Sequence, residues 1–257
     1  MTNYVQHALH QLQNSLPTRL QHTQYRHNKP VYGQRIQLAD SQDDTKEVFL
    51  SASAKTLIQR IIGIFLYYGI ALDLTILVAL GTLATQQSKP TESLWNDINW
   101  FMNYAASHSD AKNCFSASDM ILHIASDGSY LSESKSRSRV GGIFYLSSKL
   151  PQHNQAPDCN NPFNAPFHVV AKILKMITSS AMETEVAASS YNAKKALLFR
   201  VTLAEMYHPQ PPNPMEVDNE TVIGFHKSTM KQKRSKAIDK RFYWVRDRVN
   251  QNQFMIY

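Results

Sequence analysis

The stretch Met120-Ile-Leu-His-Ile-Ala-Ser-Asp127-Gly128 decides the fold class. Met120, Leu122 and Ile124 alternate with other residues, the period of a strand with one face on a core, and the run closes on Asp127-Gly128. A second strand follows at Gly142-Ile-Phe-Tyr-Leu-Ser147, and a third spans Phe167 to Ile173. Between those two, Pro151 to Pro166 is rich in Asn and Pro and reads as a loop. Downstream, Met182, Val186, Ala193, Leu197, Val201 and Ala204 share one stripe, which predicts a long helix from Ser180 to Met206. Pro209, Pro211, Pro212 and Pro214 forbid its continuation. A short strand at Met215-Glu-Val-Asp218 and a helical segment from Thr221 come next. A last helix carries Ile238, Phe242, Val245 and Val249, and a strand opens at Gln253-Phe-Met-Ile-Tyr257. This order predicts an α/β layer with a mixed sheet.

Upstream the pattern changes. Leu57, Ile61, Ile64, Leu66 and Tyr68 lead into the apolar run from Leu72 to Leu83, and Pro90-Thr91-Glu92 opens a helix bearing Leu94, Trp95, Ile98, Phe101 and Met102. Residues 51–115 are therefore expected to form a small helical unit. Residues 1–50, rich in Gln, His, Asn and Pro, read as a polar N-terminal tether. Gly63 to Leu83 is long and apolar enough to raise a membrane span. Asp73 in its middle, with Gln59, Arg60, Gln86 and Gln87 close by, points instead to a buried helical pair and no membrane.

The 257 residues carry 27 Lys+Arg against 20 Asp+Glu, a net charge of +7 that favours polyanionic partners. Much of the excess is local: Lys227, Lys231, Lys233, Arg234, Lys236, Lys240, Arg241, Arg246 and Arg248 face only Asp239 and Asp247. Such a segment reads as a solvated helix face, as a nuclear import signal around Lys231 to Lys236, or as a track for phosphates. Cys114 and Cys159 stand alone without zinc-ligand spacing or a disulfide framework, and the polar N-terminus lacks a secretory core. An intracellular protein, cytoplasmic or nuclear and not secreted, is the expectation.

Four carboxylates fall where strands and helices could bring them together: Asp127 at the end of the first strand, Glu185 early in the long helix, Asp218 ending the next strand, and Asp239 on the C-terminal helix. Each has a plain structural reading: a hairpin turn at Asp127-Gly128, a first-turn acid, a turn at Asp218-Asn219, a surface partner of Lys236. Together they could hold hard divalent cations such as Mg²⁺, whose oxygen ligands and paired placement suit phosphodiester hydrolysis.

These residues sit in motifs with a family resemblance. Ser118-Asp-Met-Ile-Leu-His-Ile-Ala-Ser-Asp-Gly-Ser-Tyr-Leu-Ser-Glu133 with Ser136-Arg-Ser-Arg-Val-Gly-Gly142 resembles the first strand and hairpin of the ribonuclease H region of copia-type retrotransposon polyproteins. Ser179-Ser-Ala-Met-Glu-Thr-Glu-Val-Ala-Ala188 resembles their helix with paired glutamates. Val217-Asp-Asn-Glu-Thr-Val222 and the run from Lys233 to Val249 resemble their third and fourth acidic motifs. The likeness extends upstream through Leu66-Tyr-Tyr68, Asp73, Pro90-Thr91 and Tyr4-Val-Gln-His-Ala-Leu-His10, so it covers nearly the whole chain.

The resemblance implies a ribonuclease H-like mixed sheet flanked by helices over residues 116–257, preceded by the helical connection of residues 51–115 and the tether. It implies two Mg²⁺ ions, with Mn²⁺ as a substitute, held by Asp127, Glu185, Asp218 and Asp239, which match the family's four acidic positions. Of the two glutamates, Glu185 precedes the small and apolar stretch matched by Val186-Ala187-Ala188, with Glu183 as the fallback. The implied activity is endonucleolytic cleavage of the RNA strand of RNA:DNA hybrids. Lys231, Lys233, Arg234, Lys236 and Arg241 would lie along the hybrid's phosphates, and an upstream reverse transcriptase domain of the same polyprotein would be a partner. Family members continue past the final strand, so the resemblance also implies a domain cut short at Tyr257; the alternative function is a catalytically inactive, nucleic-acid-binding remnant. No Tyr-x-Asp-Asp motif occurs, so no polymerase activity is expected.

Overall fold

The computed structural model describes residues 1, 3–13, 17, 19–26, 48–133, 136–148, 164–228 and 243–257. They form two compact units, Met1–Asn113 and Cys114–Tyr257.

The first unit is helical. Helix α1 (Tyr4–Gln11) is followed by α2 (Ala52–Ala71), a 3₁₀ turn at Leu74–Ile76, α3 (Leu77–Gln86) and α4 (Glu92–Ser107). The boundaries are locally encoded. Ser51 accepts from the Ala54 N–H, Asp73 from the Thr75 N–H and Thr91 from the Leu94 N–H, each satisfying a donor that a helix start leaves open. The core gathers Ile58, Ile61, Phe65, Leu80, Leu94, Ile98 and Phe101, with Phe65 and Phe101 edge to face at 5.2 Å. No helix among the described residues is long and apolar enough to cross a membrane. The apolar run folds back at Leu72 and Asp73, as a buried helical pair requires.

The tether reading fails at its start. Tyr4–Gln11 is a helix whose Val5 and Leu9 are buried in the same core, with Ala8 buried beside them on the helix. Three apolar side chains at i, i+3 and i+4 suffice to anchor two turns, although the polar residues around them hide the pattern.

The second unit is the expected α/β layer. Strands β1 (Ile121–Glu133), β2 (Arg137–Ser147) and β3 (His168–Ile173) precede the long helix α5 (Ala181–Glu205). Then come β4 (Asn213–Val217), α6 (Glu220–His226), α7 (Tyr243–Asn250) and β5 (Phe254–Ile256). The five strands form one mixed sheet in the order β3-β2-β1-β4-β5. The β1-β2 and β2-β3 pairs are antiparallel, whereas β4 runs parallel to β1 and β5 parallel to β4. Leu122, Ile124, Val140, Phe144, Met215 and Val217 turn one face of the sheet onto Val186, Ala193 and Ala196 of α5, with Val222, Val245, Phe254 and Ile256 completing the core.

Asp127-Gly128 does not end the first strand. β1 runs on to Glu133, and Asp127 pairs with Gly141 in mid-ladder. Gly128 is required for another reason: a Cβ there would lie 3.0 Å from the carbonyl carbon and oxygen of Thr184, so a side chain would push α5 off the sheet.

Candidate metal centre

Asp127, Glu185 and Asp218 meet. One carboxylate oxygen of each lies within 4.8 Å of the other two. Ser126 of β1 sits opposite Val217 of β4 in parallel register, so Asp127 and Asp218, the next residue on each path, emerge side by side. Glu185 comes from the second turn of α5, whose start is held by Ser180: its hydroxyl accepts from the Glu183 N–H at 3.1 Å. Behind that turn, Thr184 Oγ1 lies 2.7 Å from Thr178 Oγ1, which lies 2.9 Å from Ser138 Oγ on β2. This chain of buried hydroxyls ties the helix start to the strand next to β1.

The two glutamates have different surroundings. Glu183 Oε2 accepts from the backbone N–H and the hydroxyl of Ser179, at 2.7 and 2.6 Å, and is spent on the helix start. Glu185 is 7% exposed, and its Oε2 is buried without a hydrogen-bond partner. Burial first, and then the charges of Asp127 and Asp218, push the Glu185 carboxyl up to about 7; a hydrogen bond from the Gly128 backbone opposes the rise. Asp127 and Asp218 are exposed, so the cluster has a wet side and a dry side. A depression of about 380 Å³ opens there, lined by Ala125, Asp127, Gly141, Ile143, Glu216 and Asp218 among others. A hollow of equal volume in the helical unit, between Leu50, Ser53, Ala54, Leu57 and Trp95, has no ionisable group in its wall.

The donor set fits a hard divalent cation. Three carboxylates converge, one of them dry and with an oxygen that no protein donor satisfies, and a cation would remove both the repulsion and the unmet acceptor. Asp239 and the five basic residues Lys231, Lys233, Arg234, Lys236 and Arg241 lie outside the described residues. Absent from the sequence reading are the close approach at Gly128, the hydroxyl chain and the buried Asn192. The doublet Gly141-Gly142 within a strand was the available signal, since glycine there marks a close backbone or side-chain approach.

No protein-family model matches the chain. It is 21% identical over 203 residues, 79% of its length, to the Retrovirus-related Pol polyprotein from transposon TNT 1-94 of Nicotiana tabacum. The chain resembles a stretch of a retrotransposon polyprotein. That expectation is borne out, and the matched stretch makes up 14% of the tobacco protein's length. The expected mixed sheet flanked by helices is likewise present. Among solved structures, LC11-RNase H1 isolated from compost by a metagenomic approach superposes with a TM-score of 0.37 at 11% identity, over 54% of this chain and 83% of that one. The superposition is loose, and the geometry of the acidic cluster stands without it.

Proposed function

We propose that this chain is a ribonuclease H-type endonuclease that hydrolyses the RNA strand of RNA:DNA hybrids. The observation that carries the reading is the meeting of Asp127, Glu185 and Asp218 within 4.8 Å, from three elements far apart in sequence. Mg²⁺ is the cofactor, two ions with Mn²⁺ as a substitute. Asp127, Glu185 and Asp218 would hold them, joined by Asp239 as the fourth acidic residue of the family pattern. Bound there, the cations supply activation of water and neutralisation of the charge that builds on a phosphodiester. The helical unit, residues 51–115 in this reading, is the connection that joins the nuclease to an upstream reverse transcriptase domain of the same polyprotein.

The protein's own part is positional. The β1-β4 register sets Asp127 beside Asp218 on the open side, where a phosphate can approach, and α5 presents Glu185 from the dry side. Burial of Glu185 keeps water away from one flank of the site and strengthens each electrostatic contact within it. The RNA strand would be distinguished by its 2′-hydroxyls and the minor-groove shape of the hybrid. The basic residues Lys231, Lys233, Arg234, Lys236 and Arg241 would grip phosphates and set register without reading sequence.

The test is cleavage of a labelled RNA:DNA hybrid by the purified chain, with Mg²⁺ and with chelator, beside Asp127→Asn and Asp218→Asn. Cleavage by the parent is expected to depend on the cation and to fall to background in both variants, while hybrid binding survives. A parent that binds hybrid and never cuts it would favour the inactive, nucleic-acid-binding alternative. Unchanged cleavage by Asp127→Asn would sink the mechanism.

A further inference from the structure

Asn192 lies on α5 seven positions after Glu185 and is fully buried. At about 100° per residue, seven residues fall about 20° short of two full turns, so Asn192 and Glu185 leave the same face of the helix. The Asn192 Nδ2 donates to Ser126 Oγ at 2.9 Å and to the Gly141 carbonyl at 2.7 Å. Ser126 directly precedes Asp127 on β1, and Gly141 is the residue paired with Asp127 across the ladder. One amide therefore grips both neighbours of Asp127, the first along its own strand and the second on the adjoining strand.

Few side chains could take this place. A primary amide offers two donors on one nitrogen and no charge. An aspartate of the same shape would turn lone pairs towards the Gly141 carbonyl and add a fourth negative charge near the cluster. The fit has a cost, because Asn192 Oδ1 is buried without a hydrogen-bond partner, a penalty of about 1–3 kcal/mol. It is also exclusive: a Cβ on Gly142 would overlap that oxygen.

We propose that Asn192 is a positioning residue of the acidic centre, clamping α5 to β1 and β2 so that Glu185 stays beside Asp127. The proposal rests on the reading of Asp127, Glu185 and Asp218 as a divalent-cation centre. Without a cation the three carboxylates repel, and the helix bearing Glu185 is pushed away from the strands bearing the aspartates. The hydroxyl chain through Ser138, Thr178 and Thr184 holds α5 at its start, and Asn192 holds it two turns further on. Two ties to the strands, two turns apart along the helix, fix both its tilt and its rotation, so the site is shaped before the cation arrives.

Mn²⁺ binding to the full chain, measured by titration calorimetry beside thermal unfolding, tests this. Asn192→Ala is expected to weaken Mn²⁺ binding about tenfold at temperatures where the protein stays folded, in line with the effect of losing an outer partner of a metal site. Ser126→Ala removes one of the two acceptors and should weaken it by a smaller factor; this variant carries the test if Asn192→Ala does not fold. The control is Ser189→Ala, also on α5, which loses a buried 2.8 Å contact to His226 at the end of α6 and should lower the melting temperature with unchanged Mn²⁺ affinity. Parent-like affinity in both Asn192→Ala and Ser126→Ala overturns the proposal, as does equal weakening in Ser189→Ala. Asp127→Asn separates the two levels: if it binds Mn²⁺ as the parent does, the metal centre itself fails and the clamp falls with it; if it alone loses binding, only the clamp is wrong.

Discussion

In the helical unit, aromatic side chains aside, the buried polar side chains among the described residues are Asp73 and Thr91, and each caps a helix start. In the sheet unit Ser126, Ser138, Thr178, Thr184, Glu185 and Asn192 are buried where β1, β2 and α5 meet, and none of the six is an N-cap. A helix start needs an acceptor wherever it occurs, so the first unit's buried polarity follows from its secondary structure. The second unit buries polar groups that no element boundary demands. Burying them costs free energy unless they are paired, so their concentration around one acidic cluster marks where this molecule departs from stability alone.

The two units differ most in what a truncated core side chain should do. Phe65 and Phe101 are fully buried against each other in the helical unit. Phe65→Ala should cost about 3–5 kcal/mol, seen in denaturant unfolding. Divalent-cation binding by the folded fraction should be untouched, because the acidic cluster belongs wholly to the other unit. A loss of cation affinity as large as the loss of stability would show that the two units do not serve separate ends.

Glu185 gives the next effect, with a definite sign. Its folded carboxyl is pushed up to about 7, from an ordinary value of 4.5. Between those values the folded state keeps a proton that the unfolded chain has released, so stability falls as pH rises through that window and stays low above it. In chelator, Glu185→Gln should flatten this fall, a difference of at most about 3 kcal/mol by pH 8. A saturating divalent cation should restore much of the parent's stability at that pH, since the cation offsets the repulsion. Melting curves from pH 4.5 to 8 check both; a parent that gains stability across the window would contradict the buried placement of Glu185.

Gly142→Ala probes the packing beneath the site. The new Cβ overlaps Asn192 Oδ1, and the amide cannot turn away because its Nδ2 donates to Ser126 and Gly141, so relief requires moving α5 or β2. Overpacking of this kind costs about 1–3 kcal/mol. Gly63→Ala, where a Cβ meets nothing within 4 Å, should instead gain stability through helix propensity, by up to about 1 kcal/mol. Equal outcomes at the two glycines, measured by thermal melting, would remove the distinction between a permissive helix surface and a crowded site.

What was legible in the sequence is what is encoded locally. Pro90-Thr91-Glu92 opens α4, and Ser180 with the later prolines brackets α5, because caps and breakers act over a few residues. Asp127-Gly128 carries the local mark of a turn, yet its glycine answers to the Thr184 backbone of a helix that follows much later in the chain. Helix α1 hides because three apolar residues amid Gln and His make too short a periodicity to notice. Asp127, Glu185 and Asp218 were visible through the order of their motifs, whereas Asn192 was not. A single Asn within a helix has no local meaning until the strands it joins are known.

Loss of a helix cap, the smallest of these effects, is one chemical change that both units can undergo. Thr91 Oγ1 accepts from the Leu94 N–H at 3.3 Å at the start of α4, and Ser180 Oγ accepts from the Glu183 N–H at 3.1 Å at the start of α5. Either residue replaced by Ala loses an N-cap, worth about 1 kcal/mol. The two variants should therefore melt alike. They should differ in Mn²⁺ affinity, since Glu185 sits one turn beyond Ser180 and depends on that helix start for its place, while α4 positions no member of the cluster. Ser180→Ala should weaken Mn²⁺ binding and Thr91→Ala should leave it alone. If both bind as the parent does, the first turn of α5 is a helix start like any other, and the shaping of the site must be credited to the sheet.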